Sequence, residues 1–351
     1  ICRLLLSAVE PNVLGLACLL VCFQACAAET IHNYRFFAFG AEINISLVSK
    51  DERQADRAFS RIKALFETLN HELNPWKSGP LLNLNQSIKE KGGGRTTPTI
   101  IELIRLGQHY SKLSDGLFDP GIGKLIKAWQ FDDASHRHRH TPESSLIENI
   151  LRHKPGIAQV ELMPPVIRTD NRLIQLDFGG MAKGYAIDKA LVIAAEEGIE
   201  SGVINAGGDL KAIGRKPSGA WRIGIRHPRT VGAIAGVTAK DGDGVFTSGD
   251  YERYFEADGK RHHHILDPAT GRPAARLVSV TVIHQDAALA DAAATALFVA
   301  GPKRWQQTAN KMDIKRVMLI DEQLTIWITP EMAKQTSIID DKAVIIRPPR
   351  P

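Results

Sequence analysis

Between residues 51 and 73 the apolar side chains Ala55, Phe59, Ile62, Phe66, Leu69 and Leu73 recur three to four residues apart, the spacing of one helix face. TPTIIELIRLGQHYSKL (97–113) predicts a second helix, with Pro98 in its first turn and Ser114-Asp115-Gly116 after its end. MAKGYAIDKALVIAAEEG reads as a third helix ending at Gly198, and LADAAATALFVAG as a fourth. The remainder breaks into short runs. FFAFGAEINISLV (36–48) predicts a strand interrupted by Gly40, and GVINAGGDLKAIG enters another. WRIGIRHP, VGAIAGVTAK and GDGVFTSGD are further strand candidates. In YERYFEADGKRHHHIL the Asp258-Gly259 pair predicts a hairpin turn, and RVMLIDEQLTIWIT reads as a closing hairpin. Tight hairpin joints among a few long helices predict an α+β fold, mainly antiparallel sheets with flanking helices, not a doubly wound sheet.

Composition narrows the class. The 351 residues are 44% hydrophobic and 24% charged, ordinary values for a globular protein. The formal charge of +5 is spread along the chain with no basic stripe, which argues against nucleic-acid binding. VLGLACLLVCFQA (13–25) is an apolar run too short to span a membrane, and Ala25-Cys26-Ala27 follows it as a small-x-small cleavage signature. Residues 1–27 are therefore read as a secretory signal peptide and 28–351 as one domain. Lipoprotein processing at Cys26 is the rival. Cys2, Cys18, Cys22 and Cys26 all fall in the segment, so the remaining 351 − 27 = 324 residues carry no cysteine and no thiol chemistry. His136, His138 and His140 alternate with Arg137 and Arg139, whose charges would repel a cation, so that stretch reads as a solvated loop.

Several segments carry candidate chemistry. Asp291 and Thr295, four apart on one helix face, are oxygen ligands of the kind a hard cation such as Mg2+ prefers. LDFGGMAKGYAID (176–188) sets Asp177, Gly179-Gly180 and Lys183 at the mouth of a helix, where backbone amides and a point charge favour anions. INAGGDLKAIG adds a glycine pair beside Asn205 and Asp209, but without the spacing of a dinucleotide fingerprint. Thr247, Ser248 and Gly249 are expected in a tight turn, suited to hydrogen-bonding a phosphate or ribose rather than to nucleophilic attack. In HHHILDPATG, His263 and His264 alternate in direction if the segment is extended, so one of them faces any given cleft.

Taken in order, FGAEI (39–43), Trp76 before LNLN, SDGLFDPGIGKLIKAWQF (114–131), LDFGGMAKGYAID, NAGGDL, TSGDYERYF, HHILDPATGRP and ADAAATALFVAG closely resemble the ApbE-type flavin transferases. The resemblance covers nearly all of the chain after residue 27. It implies a T-fold-like architecture with an FAD cleft between two halves. It implies that Phe39, Trp76, the backbone of Leu117, Phe118 and Asp119, Asp177, Lys183 and Leu266 bind FAD. It also implies Mg2+ held by the Gly180 carbonyl, Asp291 and Thr295, with His264 as general base. The implied reaction transfers FMN from FAD to a threonine hydroxyl of an acceptor protein, releasing AMP. Such an acceptor would be a subunit of a membrane electron-transfer complex, met in the periplasm or from a lipid anchor on the outer face of the inner membrane. An FAD-storage protein and an FAD pyrophosphatase are the rivals. Two departures fall on the flavin side: Phe39-Gly40-Ala41 stands where Met-Gly-Thr is common, and Ser78-Gly79-Pro80 where a Ser-Glu step is common. Ala294 removes a carboxylate sometimes found beside the metal threonine.

Overall fold

A computed structural model describes residues 28–132, 140–340 and 344–346. The expected signal peptide and most of the histidine-arginine stretch lie outside these residues. Nine strands form a central sheet whose spatial order is also their chain order. They are β1 (Thr30–Ala38), β2 (Ala41–Ser49), β3 (Ser201–Ala206), β4 (Asp209–Ile213), β5 (Gly244–Gly249), β6 (Leu277–His284), β7 (Arg316–Asp321), β8 (Ile326–Ile328) and β9 (Ile345–Ile346). Every neighbouring pair is antiparallel except the last.

Three long helices cover one face: α1 (Glu52–Glu72), α2 (Ala182–Glu196) and α3 (Ala287–Lys311). Ile62 and Phe66 of α1 share a core with Ile43 and Ile45 of β2 and with the alanine-rich α2 and α3. On the other face, a three-stranded sheet of Arg222–Arg226, Ala233–Thr238 and Thr336–Ile338 packs Ile225, Ile234 and Val237 against Val245 and Ile283. β6, covered on both sides, is buried at seven consecutive residues, which is why its sequence lacks a polar alternation. A third core of Leu125, Trp129, Phe131, Ile147, Ile150 and Leu266 stands beside the sheet. The α+β expectation, antiparallel sheets with flanking helices, holds.

Four local expectations need correction. Residues 36–48 are not one strand: Phe39 (φ 53°) and Gly40 (φ 70°) make a two-residue hairpin turn between β1 and β2. Positive φ at both positions is what such a turn demands, and Gly40 supplies one at no cost. Pro80, read as part of a loop, opens a helix through Lys91. Gly207 (φ 66°) and Gly208 (φ 106°) form the turn from β3 into β4. Thr247, Ser248 and Gly249 end strand β5 and are not a turn. The fourth helix is longer than its apolar pattern, running on to Lys311 through a break where Gly301 takes φ 66° ahead of Pro302.

Candidate active site

The hairpin turns bring distant residues to one end of the sheet. The β1–β2 turn lies against the β3–β4 turn, where Gly207 donates to the Glu42 carbonyl at 3.0 Å and abuts the Ala41 methyl. Asp209 follows directly, only 4% exposed. It accepts a hydrogen bond from the Thr247 amide at 2.9 Å and pairs with the ammonium of Lys183. Lys183 stands in the first turn of α2, and Gly184 after it lets that turn press against the start of α3. A methyl at Gly184 would meet the Ala287 carbonyl at 2.2 Å. The close crossing lets the Gly184 amide donate to Asp291 Oδ2 at 3.2 Å.

Asp291, 6% exposed, thus caps the orphan amides of one helix from within another. One turn on, Thr295 Oγ1 lies 3.1 Å from Ser248 Oγ of β5. Gly180 sits over this hydroxyl: a Cβ there would stand 3.5 Å from Thr295 Oγ1 and 3.0 Å from the Phe118 ring. The expected trio of Gly180, Asp291 and Thr295 is therefore gathered in one place.

The electrostatics of the group are strained in a consistent direction. Burial, then the nearby charge of Asp209, pushes the Asp291 carboxyl up to about 7, against the pull of Lys183 and the Gly184 amide. Burial works against the Lys183 ammonium, yet Asp209 and Asp291 outweigh it and hold its pKa above the ordinary lysine value. Two carboxylates around one ammonium leave an excess of negative charge among oxygen donors. Asp291 and the Thr295 hydroxyl, with the Gly180 backbone over them, offer oxygen donors, which fits a hard divalent cation. Among the described residues no group of three histidines, cysteines or carboxylates could hold a metal, so a cation here must draw on hydroxyl and backbone oxygens.

The second wall is built from segments 114–123 and 175–180, which run together through the Asp177 amide to the Pro120 carbonyl at 2.8 Å and the Gly123 amide to the Gln175 carbonyl at 2.8 Å. Asp177 accepts from the Gly179 amide at 2.8 Å, and burial raises its pKa while Gly179 and Arg253 offset part of the shift. Leu117 and Phe118 are buried, and their amides donate within the loop, to the Ser114 carbonyl and Ser114 Oγ. Asp119 turns its carboxylate to the amides of Gly121 (2.7 Å) and Ile157 (2.9 Å), a structural clasp. Contact with a ligand at 117–119 is thus left to the remaining backbone groups.

His264 follows the hairpin of Tyr254–Ala257 with Lys260–His263, whose turn at Asp258 (φ 52°) and Gly259 (φ 69°) is as expected. Its Nδ1 lies 3.2 Å from the Arg253 carbonyl, and Phe131 meets its ring edge-on. Desolvation, then the charge of Arg253, holds its pKa well below the ordinary histidine value, and Lys183 adds to the effect. His264 is thus neutral near pH 7, with Nε2 left to take a proton. His263 points the other way, bonding the Ala274 carbonyl at 2.8 Å.

Other expected residues stand at the margins. Phe39 is held at the first turn by its amide to Asn70 Oδ1 at 2.8 Å, with its ring edge-on to Phe66. Trp76 is half-buried in the loop before Pro80, its amide donating to Asn74 Oδ1 at 2.9 Å. The Leu266 side chain belongs to the third core, so only its backbone can face a ligand. Sequence reasoning gave no role to Asp209 or Arg253, although both lie in the quoted motifs. An acidic residue starting a strand directly after a glycine-pair turn was the available signal for Asp209.

Comparison with known proteins places the chain in a family. The ApbE family model matches residues 39–318. The chain is 34% identical over 310 residues to a FAD:protein FMN transferase of Rhodobacter capsulatus, spanning 87% of this chain and 58% of that relative. It is 31% identical over 304 residues to a FAD:protein FMN transferase of Klebsiella pneumoniae, spanning 86% and 93%. The crystal structure of the ApbE protein of Thermotoga maritima superposes with a TM-score of 0.81 at 30% identity, covering 87% of this chain and 99% of that one. That of the Pseudomonas stutzeri flavinyl transferase ApbE, in its apo form, gives 0.74 at 30%, covering 84% and 92%. The chain belongs to the ApbE family.

Proposed function

We propose that this protein is a FAD:protein FMN transferase that moves FMN from FAD to a threonine hydroxyl of an acceptor protein, with Mg2+ bound, and releases AMP. The observation that carries it is the gathering of Asp291, Thr295 and Gly180 beside Lys183, whose charge also reaches His264 and helps hold that imidazole neutral. A bound Mg2+ would supply charge neutralisation for the pyrophosphate of FAD, and Gly180, Asp291 and Thr295 would hold it. Lys183 adds a fixed positive charge next to that position, kept ionised by Asp209 and Asp291. Ser248 orients the Thr295 hydroxyl through their 3.1 Å contact. His264 takes the proton of the acceptor hydroxyl. The threonine oxygen then bonds the FMN phosphorus, the phosphorus–oxygen bond to AMP breaks, and the electron pair leaves with AMP.

The chemistry favours turnover over storage, since a carrier has no use for a neutral imidazole held at the Arg253 carbonyl within the field of Lys183. The same pocket with water in place of the acceptor would hydrolyse FAD to FMN and AMP. Export to the periplasm, free or lipid-anchored, and an acceptor in a membrane electron-transfer complex belong to the same reading. No helix among the described residues is long and apolar enough to cross a membrane. The test is to incubate the purified protein with FAD, Mg2+ and candidate acceptors and to weigh the acceptor by mass spectrometry. A gain of one FMN, abolished by EDTA, is expected. FMN and AMP appearing with no adduct would select the hydrolase instead.

A further inference from the structure

One short turn joins the strand that carries Ser248 to the partner of His264. β5 ends at Gly249, and Arg253 beyond it offers its carbonyl to both the His264 amide at 3.0 Å and His264 Nδ1 at 3.2 Å. That contact sets the tautomer of the ring. A carbonyl only accepts, so Nδ1 carries the hydrogen and Nε2 keeps its lone pair. Whatever fixes the 249–253 turn therefore fixes the base. Within that turn Asp250, 7% exposed, is a buried carboxylate to which the transfer chemistry gives no role.

Asp250 is tied to three separate pieces of the fold. Its amide donates to the Val278 carbonyl of β6 at 3.1 Å. Arg229 grips its carboxylate with both terminal guanidinium nitrogens, at 2.8 and 2.7 Å. Arg229 stands in a stiffened loop, where its own amide and that of Thr230 donate to His227 Nδ1 at 3.1 and 3.0 Å. From the hairpin, Arg261 reaches the same carboxylate at 3.7 Å. Arg261 lies two residues before His263 on the strand and so shares its face, leaving the opposite face to His264. The turn has a further footing on β6, since the Tyr251 hydroxyl lies 3.4 Å from Ser279 Oγ. The Asp250 carboxylate is thus the point where the turn bearing the Arg253 carbonyl and the strand leading into His264 are held together.

We infer, resting on the transferase reading, that Asp250 is a positioning residue for His264. By binding Arg229 and Arg261 together it locks the 249–253 turn against the hairpin, so that the Arg253 carbonyl keeps the imidazole hydrogen on Nδ1 and leaves Nε2 for the acceptor hydroxyl. The role depends on its charge. Two guanidinium groups around one carboxylate are drawn together by it and repel each other once it is neutral. The turn and the strand then lose their common anchor, and the ring loses its fixed partner. A displacement of about 1 Å at a reacting group is enough to cost about 10²-fold in rate.

The test reads the ring and the rate separately, on the full-length protein. Long-range proton–nitrogen NMR of isotope-labelled histidines at pH 8, with His264 assigned by its absence in His264→Ala, should show the wild-type ring as the Nδ1–H tautomer. Asp250→Asn keeps the shape of the side chain and removes its charge. It should show a mixture of tautomers and lose about ten- to a hundredfold in single-turnover flavin transfer, with FAD affinity by flavin fluorescence unchanged. Arg261→Gln preserves the Arg229–Asp250 pair and should move both readouts in the same direction, which decides the matter even where Asp250→Asn does not fold. Glu256→Gln removes the other carboxylate within reach of Arg261, at 3.6 Å, and should change neither readout. A wild-type ring in the Nε2–H form would overturn the inference. So would a folded Asp250→Asn or Arg261→Gln protein whose His264 keeps the single Nδ1–H tautomer, whatever its rate, since a clamp of purely structural worth leaves the ring as it is. A wild type that shows the expected tautomer, lost in the variants, yet flavinylates no acceptor would sink the transferase reading alone.

Discussion

His263 and His264 are adjacent in sequence and face opposite sides of their segment: one meets Phe298 edge-on and bonds the Ala274 carbonyl, the other feels the charges of Arg253 and Lys183. The two should fail differently when truncated. His264→Ala should still bind FAD and lose roughly 10²–10⁴-fold in flavin transfer, the usual worth of a positioned general base. His263→Ala should retain the chemistry but lose stability by about 1–3 kcal/mol, because the Ala274 carbonyl is left unpaired beside a new void. Single-turnover transfer and urea unfolding on both variants separate these effects. A His264→Ala variant as fast as wild type would remove the imidazole from the mechanism.

Asp119 gives a pH signature unrelated to turnover. Burial raises its carboxyl to about 6, although the amides of Ile157 and Gly121 favour the ionised form. Between its ordinary value of 3.8 and about 6, the folded protein holds a proton that the unfolded chain has released. Unfolding then sheds protons, so this residue's contribution to stability is full below the lower value and declines as pH rises through the upper one. Asp119→Asn should flatten that part of the stability profile. Melting curves from pH 4 to pH 7 that stay parallel for the two proteins would refute the assignment.

The legible parts of this protein were those governed by local periodicity. The helices over Glu52–Glu72 and Pro98–Leu113 and the Asp258-Gly259 hairpin needed only spacing and turn chemistry. What escaped was set by partners far along the chain. Gly207-Gly208 is recognisable as a hairpin turn only once β3 and β4 are seen to pair across it. Asp209 gains its meaning from Lys183, 26 residues away, and Thr247, 38 residues away. The Leu266 side chain completes a core with Trp129 and Phe131 that no local pattern announces, which leaves its backbone for the expected flavin contact. Asp291 and Thr295 were visible because both sit on one helix face, where the geometry is local.

Gly184 is where packing and chemistry meet. Its missing side chain lets α2 cross α3 against the Ala287 backbone, and the same contact delivers its amide to Asp291. Gly184→Ala would force the two helices apart, since carbonyl backbone cannot step aside as a flexible side chain can. A loss of about 1–3 kcal/mol is expected, the range for overpacking a tight core. Transfer activity should fall further than the stability loss explains, because Asp291 would move with α3. Full activity in a folded Gly184→Ala protein would show that the crossing does not set the site.

Asp291 itself allows a test in which stability and function move in opposite directions. Its carboxyl, raised to about 7, is costly to ionise without a cation, because burial and Asp209 both oppose the charge. Asp291→Asn keeps the shape and can still accept from the Gly184 amide, while removing the charge. At pH 8 without divalent metal, the variant should therefore melt no lower than wild type. Addition of Mg2+ should raise the melting temperature of wild type, since a ligand bound only by the folded state stabilises it, and leave the variant unmoved. Flavin transfer by the variant should be abolished at every Mg2+ concentration. A variant that gains the same Mg2+-dependent stabilisation as wild type would place the cation elsewhere, and with it the pyrophosphate that Lys183 is set to meet.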